Sequence, residues 1–305
     1  MLSVGQEGSP LIEINGGSDI RAVAFAANGK YLVSGGRGAQ VWRVEDGKQM
    51  VALEAKDVVC LAVSTDGRWI AAGTAWNEVF VWDAKTYEKV ISQRENYHHN
   101  GNANYILGVD FSPDSTRLVS ATNNRTASIW NITTRERIQT LEHGHWVTAA
   151  KYSPRGDRIV TATDHSVRVW DSTNGCLLVD IKVKVNPWQN TGLRWFNNRL
   201  FVISDSKIKQ FEASTGSAVS EWPVLHSNNR SCIALSKQGG FIAYSAERTV
   251  TFWNTATHTQ LGLIQHSQDI GTIAISPDDQ FLAIAGEDGN ITINSLSRIV
   301  SILSR

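Results

Sequence analysis

The stretch TDHSVRVWD, residues 163–171, decides the fold of this chain because close variants of it return along the whole sequence. Read alone, it suggests chemistry, since aspartate, histidine and serine are the side chains of hydrolases and metal sites. EHGHW, residues 142–146, adds two more histidines shortly upstream. Comparison of the copies separates a reactive role from a structural one.

Seven copies of the pattern run along the chain. They are AQVWRVEDG, VFVWDAKTY, ASIWNITTR, VRVWDSTNG, IKQFEASTG, VTFWNTATH and ITINSLSRI, and their anchor residues are Trp42, Trp82, Trp130, Trp170, Phe211, Trp253 and Asn294. Successive anchors are 40, 48, 40, 41, 42 and 41 residues apart. The chain therefore consists of repeats of about 41 residues with one insertion.

Each copy stands in a unit with the same order of signals. An apolar run such as ILGVDF leads to a Ser-Pro-Asp turn or a polar variant of it, and short alternating runs separated by turn residues follow. This pattern predicts four short strands per unit, and helical periodicity of useful length is absent. The chain is predicted to be all-β, with each unit a four-stranded antiparallel sheet.

The Trp-Asp ending, the Ser-Pro-Asp turn and the period together resemble the WD-repeat β-propeller family, over all seven units. The resemblance implies a seven-bladed β-propeller with four antiparallel strands per blade, formed by residues 1–305 as a single domain. In this family the N-terminal segment usually supplies the outer strand of the last blade. LIEIN (11–15) is expected to close the ring in this way, although IVSIL (299–303) is also placed as an outer strand.

The resemblance also gives the polar residues of TDHSVRVWD a structural interpretation. In WD repeats a buried chain of hydrogen bonds runs from the Trp N–H to a Ser or Thr hydroxyl, then to a His and an Asp. The fourth unit has every type, with Trp170, His143 and Asp164, and with Thr161 or Thr163 as the hydroxyl. These residues are predicted to form a structural network, and none is predicted to be catalytic.

Other units lack parts of this set. The third unit has Asn102 and Asn124 in place of the His and the Asp, and the seventh has Asn294 in place of the Trp. Only the fourth unit is expected to carry the complete network, so most blades depend on apolar stacking. The additional His145 and His165 are expected on exposed loops, in contact with solvent.

Composition excludes several classes of protein. Hydrophobic residues are 42% and charged residues 19% of the 305, with 29 basic and 29 acidic side chains, so neither disorder nor general attraction to nucleic acid is expected. No signal peptide or membrane-length apolar run is present, and three distant cysteines suggest neither disulfides nor a metal site. We expect a cytoplasmic monomer, with the nucleus as the alternative location, that uses no membrane, cofactor or metal.

The candidate binding surface is the end of the propeller where the chain enters the inner strands. Aromatic residues stand there in blades two to five: Trp76 in a tight turn, and Tyr105, Trp146 and Trp188 at or near the entry to an inner strand. Large aromatic side chains with a polar edge are typical anchors of binding surfaces. The alternative is that each packs between blades, with Trp76 filling the space of a missing His–Asp pair.

Two further groups are expected at the same end. The long connection SQRENYHHNGNANY (92–105) carries His98 and His99, which are predicted to lie on a polar binding loop and are too few to indicate a metal site. The acidic residues that flank the aromatic ones are Asp19, Asp57 and Asp269. Such a rim would complement a basic peptide or tail.

The leading hypothesis is a non-catalytic protein- or peptide-binding scaffold that uses this end of the propeller. One alternative is a partner-binding or sensor module of a larger regulatory protein. Another is a propeller hydrolase with a metal ion in the central channel, which requires acidic residues on several inner strands. Asp110 is the one conspicuous acidic residue in those strands, so no enzyme is predicted.

Overall fold

The computed structural model describes residues 10–17, 19–95, 104–185, 192–225, 231–297 and 301. Within these ranges 28 strands form seven four-stranded antiparallel sheets. The innermost strands of successive sheets contact one another, and the last contacts the first, so the sheets close into a ring. The predicted seven-bladed β-propeller is confirmed. A helix with the length and hydropathy of a membrane span is absent from the described ranges.

Six blades are built from consecutive strands that run from the central channel outwards, and the seventh takes its outer strand from the N-terminus. The first three blades comprise β2 (Ala22–Phe25), β3 (Tyr31–Gly35), β4 (Ala39–Arg43) and β5 (Gln49–Leu53); β6 (Val58–Val63), β7 (Trp69–Thr74), β8 (Glu78–Asp83) and β9 (Lys89–Arg94); and β10 (Ile106–Phe111), β11 (Arg117–Thr122), β12 (Thr126–Asn131) and β13 (Arg137–Glu142). The next three comprise β14 (Ala149–Tyr152), β15 (Arg158–Ala162), β16 (Ser166–Asp171) and β17 (Leu177–Lys182); β18 (Leu193–Phe196), β19 (Arg199–Ser204), β20 (Lys207–Glu212) and β21 (Ala218–Pro223); and β22 (Ser231–Leu235), β23 (Phe241–Ala246), β24 (Thr249–Asn254) and β25 (Gln260–Gln265). The seventh comprises β26 (Ile270–Ile275), β27 (Phe281–Gly286), β28 (Asn290–Ser295) and β1 (Ile12–Asn15).

The seven anchors occupy the same position on the third strand of every blade. Each is paired with a leucine or isoleucine of the second strand: Trp42 with Leu32, Trp82 with Ile70, Trp130 with Leu118, Trp170 with Ile159, Phe211 with Leu200, Trp253 with Ile242 and Asn294 with Leu282. A slip of one residue would turn each side chain to the opposite face of the sheet. The constant register therefore shows that the sequence repeat is the structural repeat.

The N-terminal strand closes the ring, as expected for LIEIN. β1 pairs antiparallel with β28, with Ile12 opposite Ile293, and the amide of Leu11 donates to the Ile293 carbonyl at 2.8 Å. These hydrogen bonds occupy the free edge of β28 and join the two ends of the repeat array. Of IVSIL (299–303), only Ser301 is described.

Apolar side chains stack between neighbouring blades and form the core. At the seam between the seventh and first blades, Ile14 of the closing strand and Ile291 pack in one cluster with Val23 and Trp42. Similar clusters join other neighbouring blades. Because each sheet buries both of its faces in this way, no blade is expected to be stable alone.

The described cysteines make no cross-links. Cys60 and Cys232 are buried and unpaired, whereas Cys176 is exposed. Burial raises the pKa of the Cys60 thiol to about 12, so this thiol stays protonated and packs as a small apolar side chain.

Replacing Ile14 with alanine is expected to weaken the closure of the ring. Ile14 is 2% exposed, so its truncation leaves a cavity that costs about 2–5 kcal/mol of unfolding free energy. Chemical denaturation measures this change. Leu11→Ala alters a neighbour that is 58% exposed and serves as the control, with little effect expected. Equal effects of the two substitutions would contradict a closing role for β1.

Candidate functional site

The loops that enter the inner strands lie at the same end of the molecule as the turns between second and third strands. We call this end the top face. In the second blade, Val58 at the start of the inner strand pairs with Thr74 at the end of the second strand, and blades three and four repeat this arrangement. Neighbouring blades are tied together there: the amide of Val147 donates to the Thr122 carbonyl at 3.0 Å.

Three of the four predicted aromatic residues fall within the described residues, and all three reach solvent on the top face. Trp76 is 55% exposed, and Tyr105 and Trp146 are each 37% exposed. Trp76 therefore does not fill a space inside the second blade. The exposed rings belong to blades two, three and four, which are neighbours in the ring.

The turn that carries Trp76 is held in place on several sides. The Thr74 hydroxyl accepts hydrogen bonds from the amides of Trp76 and Glu78, both at 3.2 Å. Asn77 has a φ of 63°, a left-handed conformation that asparagine tolerates. The Trp76 indole N–H donates to a carboxylate oxygen of Asp57 at 2.8 Å. The exposed ring is therefore fixed in orientation.

The predicted acidic rim is already engaged within the chain. Asp19 forms an ion pair with Arg21, and Asp269 forms one with Arg248 at 3.0 Å. Asp57 accepts the indole hydrogen bond of Trp76. These contacts partly neutralise the carboxylates, so the rim offers less attraction to a basic partner than the sequence suggests.

Three predicted site residues lie outside the described residues. They are Trp188, His98 and His99. Their assignment to the binding face stays a prediction.

The fourth blade contains a continuous buried chain of hydrogen bonds. The Trp170 indole N–H donates to the Thr161 hydroxyl at 2.8 Å, and His143 Nε2 lies 2.8 Å from the same hydroxyl. His143 Nδ1 lies 3.0 Å from the Leu141 carbonyl oxygen, which can only accept a hydrogen bond. Nδ1 therefore carries the proton, and Nε2 accepts from Thr161. Burial lowers the pKa of His143 to about 4, which keeps the ring neutral as this chain requires.

Two members of the predicted network take no part in this chain of hydrogen bonds. Thr163 bonds instead with Ser166, whose amide donates to the Thr163 hydroxyl at 3.1 Å. The prediction that Asp164 bonds to His143 is wrong: the Asp164 carboxylate lies beside His145 and His165. The physical reason is that Thr161 and the Leu141 carbonyl occupy both nitrogens of His143.

The third blade contains an equivalent network that the sequence comparison missed. Glu95, 3% exposed, accepts hydrogen bonds from Ser120 at 2.5 Å and Ser128 at 2.9 Å, and Ser120 accepts the Trp130 indole N–H at 2.8 Å. Arg137 lies 3.3 Å from the same carboxylate. Burial raises the pKa of Glu95, and its three polar neighbours, Ser120, Ser128 and Arg137, oppose this rise. Glu95 thus has the role in blade three that His143 has in blade four: it accepts the proton of the hydroxyl to which the anchor tryptophan donates.

The position of Glu95 explains why it was missed. Glu95 and His143 each directly follow an outer strand, and each amide donates at 2.9 Å to a carbonyl in the turn between the second and third strands of that blade, Asn77 and Arg125 respectively. A count back from the start of the inner strand reaches His143 in the fourth unit, but the insertion in 92–105 displaces Glu95 from the corresponding position of the third unit. A count forward from the end of the outer strand reaches both residues.

Comparison with known proteins agrees with this architecture. The family model described as "Nucleolar protein 10-like, N-terminal domain" matches residues 12–212, and the model "WD domain, G-beta repeat" matches residues 258–293. The chain belongs to the nucleolar protein 10-like N-terminal domain family and is a WD-repeat propeller. The first match alone covers more than half of the sequence.

Curated relatives of this WD-repeat propeller are longer proteins. Autophagy-related protein 16 of Arabidopsis thaliana is 26% identical over 92% of this chain and 49% of its own length. Apoptotic protease-activating factor 1 of Homo sapiens is 23% identical over 77% of this chain and 18% of its own length. WD repeat-containing protein 1 of Mus musculus is 36% identical over 28% of this chain and 14% of its own length. The chain thus spans half or less of each of these relatives.

The central channel of this WD-repeat propeller lacks a metal-binding set among the described residues. Asp110 of the inner strand β10 pairs with Lys151 of the neighbouring inner strand at 2.9 Å and accepts the Tyr152 amide at 2.9 Å. The described residues contain one group of three His, Cys, Asp or Glu side chains with ligand atoms within 4.8 Å of one another, and it lies on the top face of blade four. The hydrolase alternative gains no support from this arrangement.

His143 is expected to make the stability of this WD-repeat propeller depend on pH. Its pKa is about 4 in the folded chain and near 6.5 in the unfolded chain, so between these values only the unfolded chain takes up the proton. The contribution of this group is fully present above about pH 6.5 and is lost as the pH falls towards 4, by up to about 3 kcal/mol. Chemical denaturation across this range measures the loss.

The matched variant for this measurement is His143→Gln, whose side chain does not titrate. The unfolding free energy of the wild type, relative to this variant, should fall as the pH is lowered. Parallel pH profiles for the two proteins would show that His143 does not cause the dependence.

Replacing Glu95 with alanine is expected to destabilise the third blade. The substitution leaves the buried Ser120 and Ser128 hydroxyls and the Arg137 guanidinium without their acceptor, at a cost of at least about 2 kcal/mol. Thermal and chemical denaturation measure the loss. The control is Glu54→Ala, because the Glu54 side chain is 91% exposed in its ion pair with Lys89 and solvent screens that pair, so little effect is expected. Equal losses would argue against the buried network.

Proposed function

We propose that this chain is a non-catalytic scaffold that binds a protein or peptide on the top face of blades two to four. The observation that carries the proposal is the exposure of Trp76, Tyr105 and Trp146 at one end of three neighbouring blades. Large aromatic side chains exposed together on one face mark interaction sites, and such residues are enriched among those that dominate binding energy. Trp188 would extend the same surface to blade five.

The contacts of Trp76 indicate the chemistry of the partner. Its N–H is used by Asp57, so the ring presents an apolar face and no free donor. Asp19 and Asp269 are paired with Arg21 and Arg248, so charge contributes little to docking. We expect an apolar partner side chain to pack on Trp76, and we expect affinity to depend only weakly on salt.

The test is affinity capture with the wild type, Trp76→Ala and Trp146→Ala, followed by measurement of the dissociation constant for each captured partner. Truncating an aromatic anchor should weaken binding at least about thirtyfold, which corresponds to about 2 kcal/mol. Loss of the same partner by both variants supports a shared surface on the top face.

The control is Leu178→Ala, because Leu178 lies on the outer strand β17 and is 47% exposed, comparable with the aromatic residues. This variant should keep the partner. Unchanged binding by both tryptophan variants, or equal loss with Leu178→Ala, would contradict the proposed surface.

A further inference from the structure

Three potential metal ligands meet on the top face of blade four. His145 lies in the loop before β14, and Asp164 and His165 lie in the turn between β15 and β16. His145 Nδ1 is 3.4 Å from Asp164 Oδ1, and His165 Nε2 is 3.4 Å from Asp164 Oδ2. The ligand atoms all lie within 4.8 Å of one another. We call these three residues the His–Asp–His cluster.

Ordinary hydrogen bonding does not account for the arrangement. Charge-assisted bonds between imidazolium and carboxylate are about 2.7–2.9 Å long, and both contacts here are longer. Asp164 Oδ1 is shielded from solvent and accepts no hydrogen bond. A shielded carboxylate oxygen without a donor is costly, because it has lost water and gained no replacement. A cation between the three side chains would supply the missing partner.

The spacing and the chemical type of the ligand atoms both bear on which metal the cluster suits. Zinc binds histidine nitrogen and carboxylate oxygen at about 2.0–2.2 Å, and tetrahedral angles then place neighbouring ligand atoms about 3.4 Å apart. The same bond lengths at octahedral right angles give about 2.9–3.0 Å. The separations from His145 and from His165, both 3.4 Å, are close to the tetrahedral value, but they end on different oxygens of Asp164, so each describes only one pair of ligand atoms. Two imidazoles and one carboxylate are also a donor set that suits zinc.

The backbone holds the cluster in place before any ion binds. The Thr163 hydroxyl accepts the amides of His165 at 3.3 Å and Ser166 at 3.1 Å, which closes the turn. The Asp164 carbonyl accepts the amide of Val185 at 3.1 Å. The turn that presents Asp164 and His165 is therefore fixed, and the loop of His145 is anchored two residues later, where the amide of Val147 donates to the Thr122 carbonyl at 3.0 Å.

We propose that His145, Asp164 and His165 bind one Zn²⁺ ion on the top face of blade four. The side chains of His145 and His165 are 52% and 62% exposed, so the ion can enter directly from solvent. Three protein ligands leave a fourth tetrahedral position, which water fills in the isolated chain. Trp146 directly follows His145, so a docked partner could reach this position. The zinc site itself does not depend on the proposed scaffold function.

The experiment uses the full chain without a histidine tag, stripped with a chelator and titrated with Zn²⁺ against a chromophoric zinc indicator. One ion should bind per chain. His145→Asn, Asp164→Asn and His165→Asn should each weaken binding by at least about tenfold, because each removes one direct ligand. Thermal denaturation without metal should show that the variants fold as the wild type does, since all three side chains are at least one-third exposed.

The matched control is the double substitution His98→Asn with His99→Asn, which removes the other close pair of histidines in the sequence. It should leave the affinity unchanged. Substitution with Co²⁺ gives a second readout, since a tetrahedral site produces a strong visible absorption band and an octahedral site a weak one. Absence of stoichiometric binding, ligand variants that bind like the wild type, loss of binding with the His98 and His99 substitutions, or a weak octahedral band would each overturn the proposal.

Discussion

In four of the seven blades, the indole N–H of the anchor tryptophan must find an acceptor inside the sheet, and this requirement shapes the polar part of the core. Four of the anchors, Trp42, Trp130, Trp170 and Trp253, donate to a serine or threonine hydroxyl at 2.8–2.9 Å. Each anchor is paired with a residue of the second strand, and an indole N–H left without an acceptor there would cost about 1–3 kcal/mol. In these four blades the serine or threonine hydroxyl is therefore needed as well as the anchor tryptophan.

The hydroxyl that accepts the indole N–H has a proton of its own, which also needs an acceptor. The blades supply this second acceptor in different ways. In the first blade the Ser34 hydroxyl donates to Gln40 at 3.2 Å, in the third Ser120 donates to Glu95, and in the fourth Thr161 donates to His143. Any nearby acceptor with a lone pair suffices. The divergence among the repeats thus changes the identity of the acceptor and keeps the physical role. The expectation that one blade alone carries a complete network was too narrow.

Turn hydrogen bonds also hold the residues of the proposed binding face. The hydroxyls of Thr74 and Thr163 accept backbone amides of the turns that carry Trp76 and His165, so these turns are fixed separately from the buried networks. Rigid support lowers the entropy that binding must spend on ordering side chains. Residues of the buried network and of the proposed sites are therefore neighbours in the sequence, which is why TDHSVRVWD looks like an active site when it is read alone.

The sequence by itself determined the fold, because strand length, turn residues and the anchor spacing recur seven times and each recurrence constrains the others. It also indicated that LIEIN closes the ring and that Trp76, Tyr105 and Trp146 stand at one end. Tertiary structure alone decided the partner of each polar group. Glu95 reaches Ser120 across 25 positions in the sequence, and Asp164 turns away from His143 towards His145 and His165. Periodicity determines which face of a sheet a residue occupies. Hydrogen-bond partners depend on differences of a few tenths of an ångström in the distance between two polar atoms, and those atoms belong to segments that only the folded ring brings together.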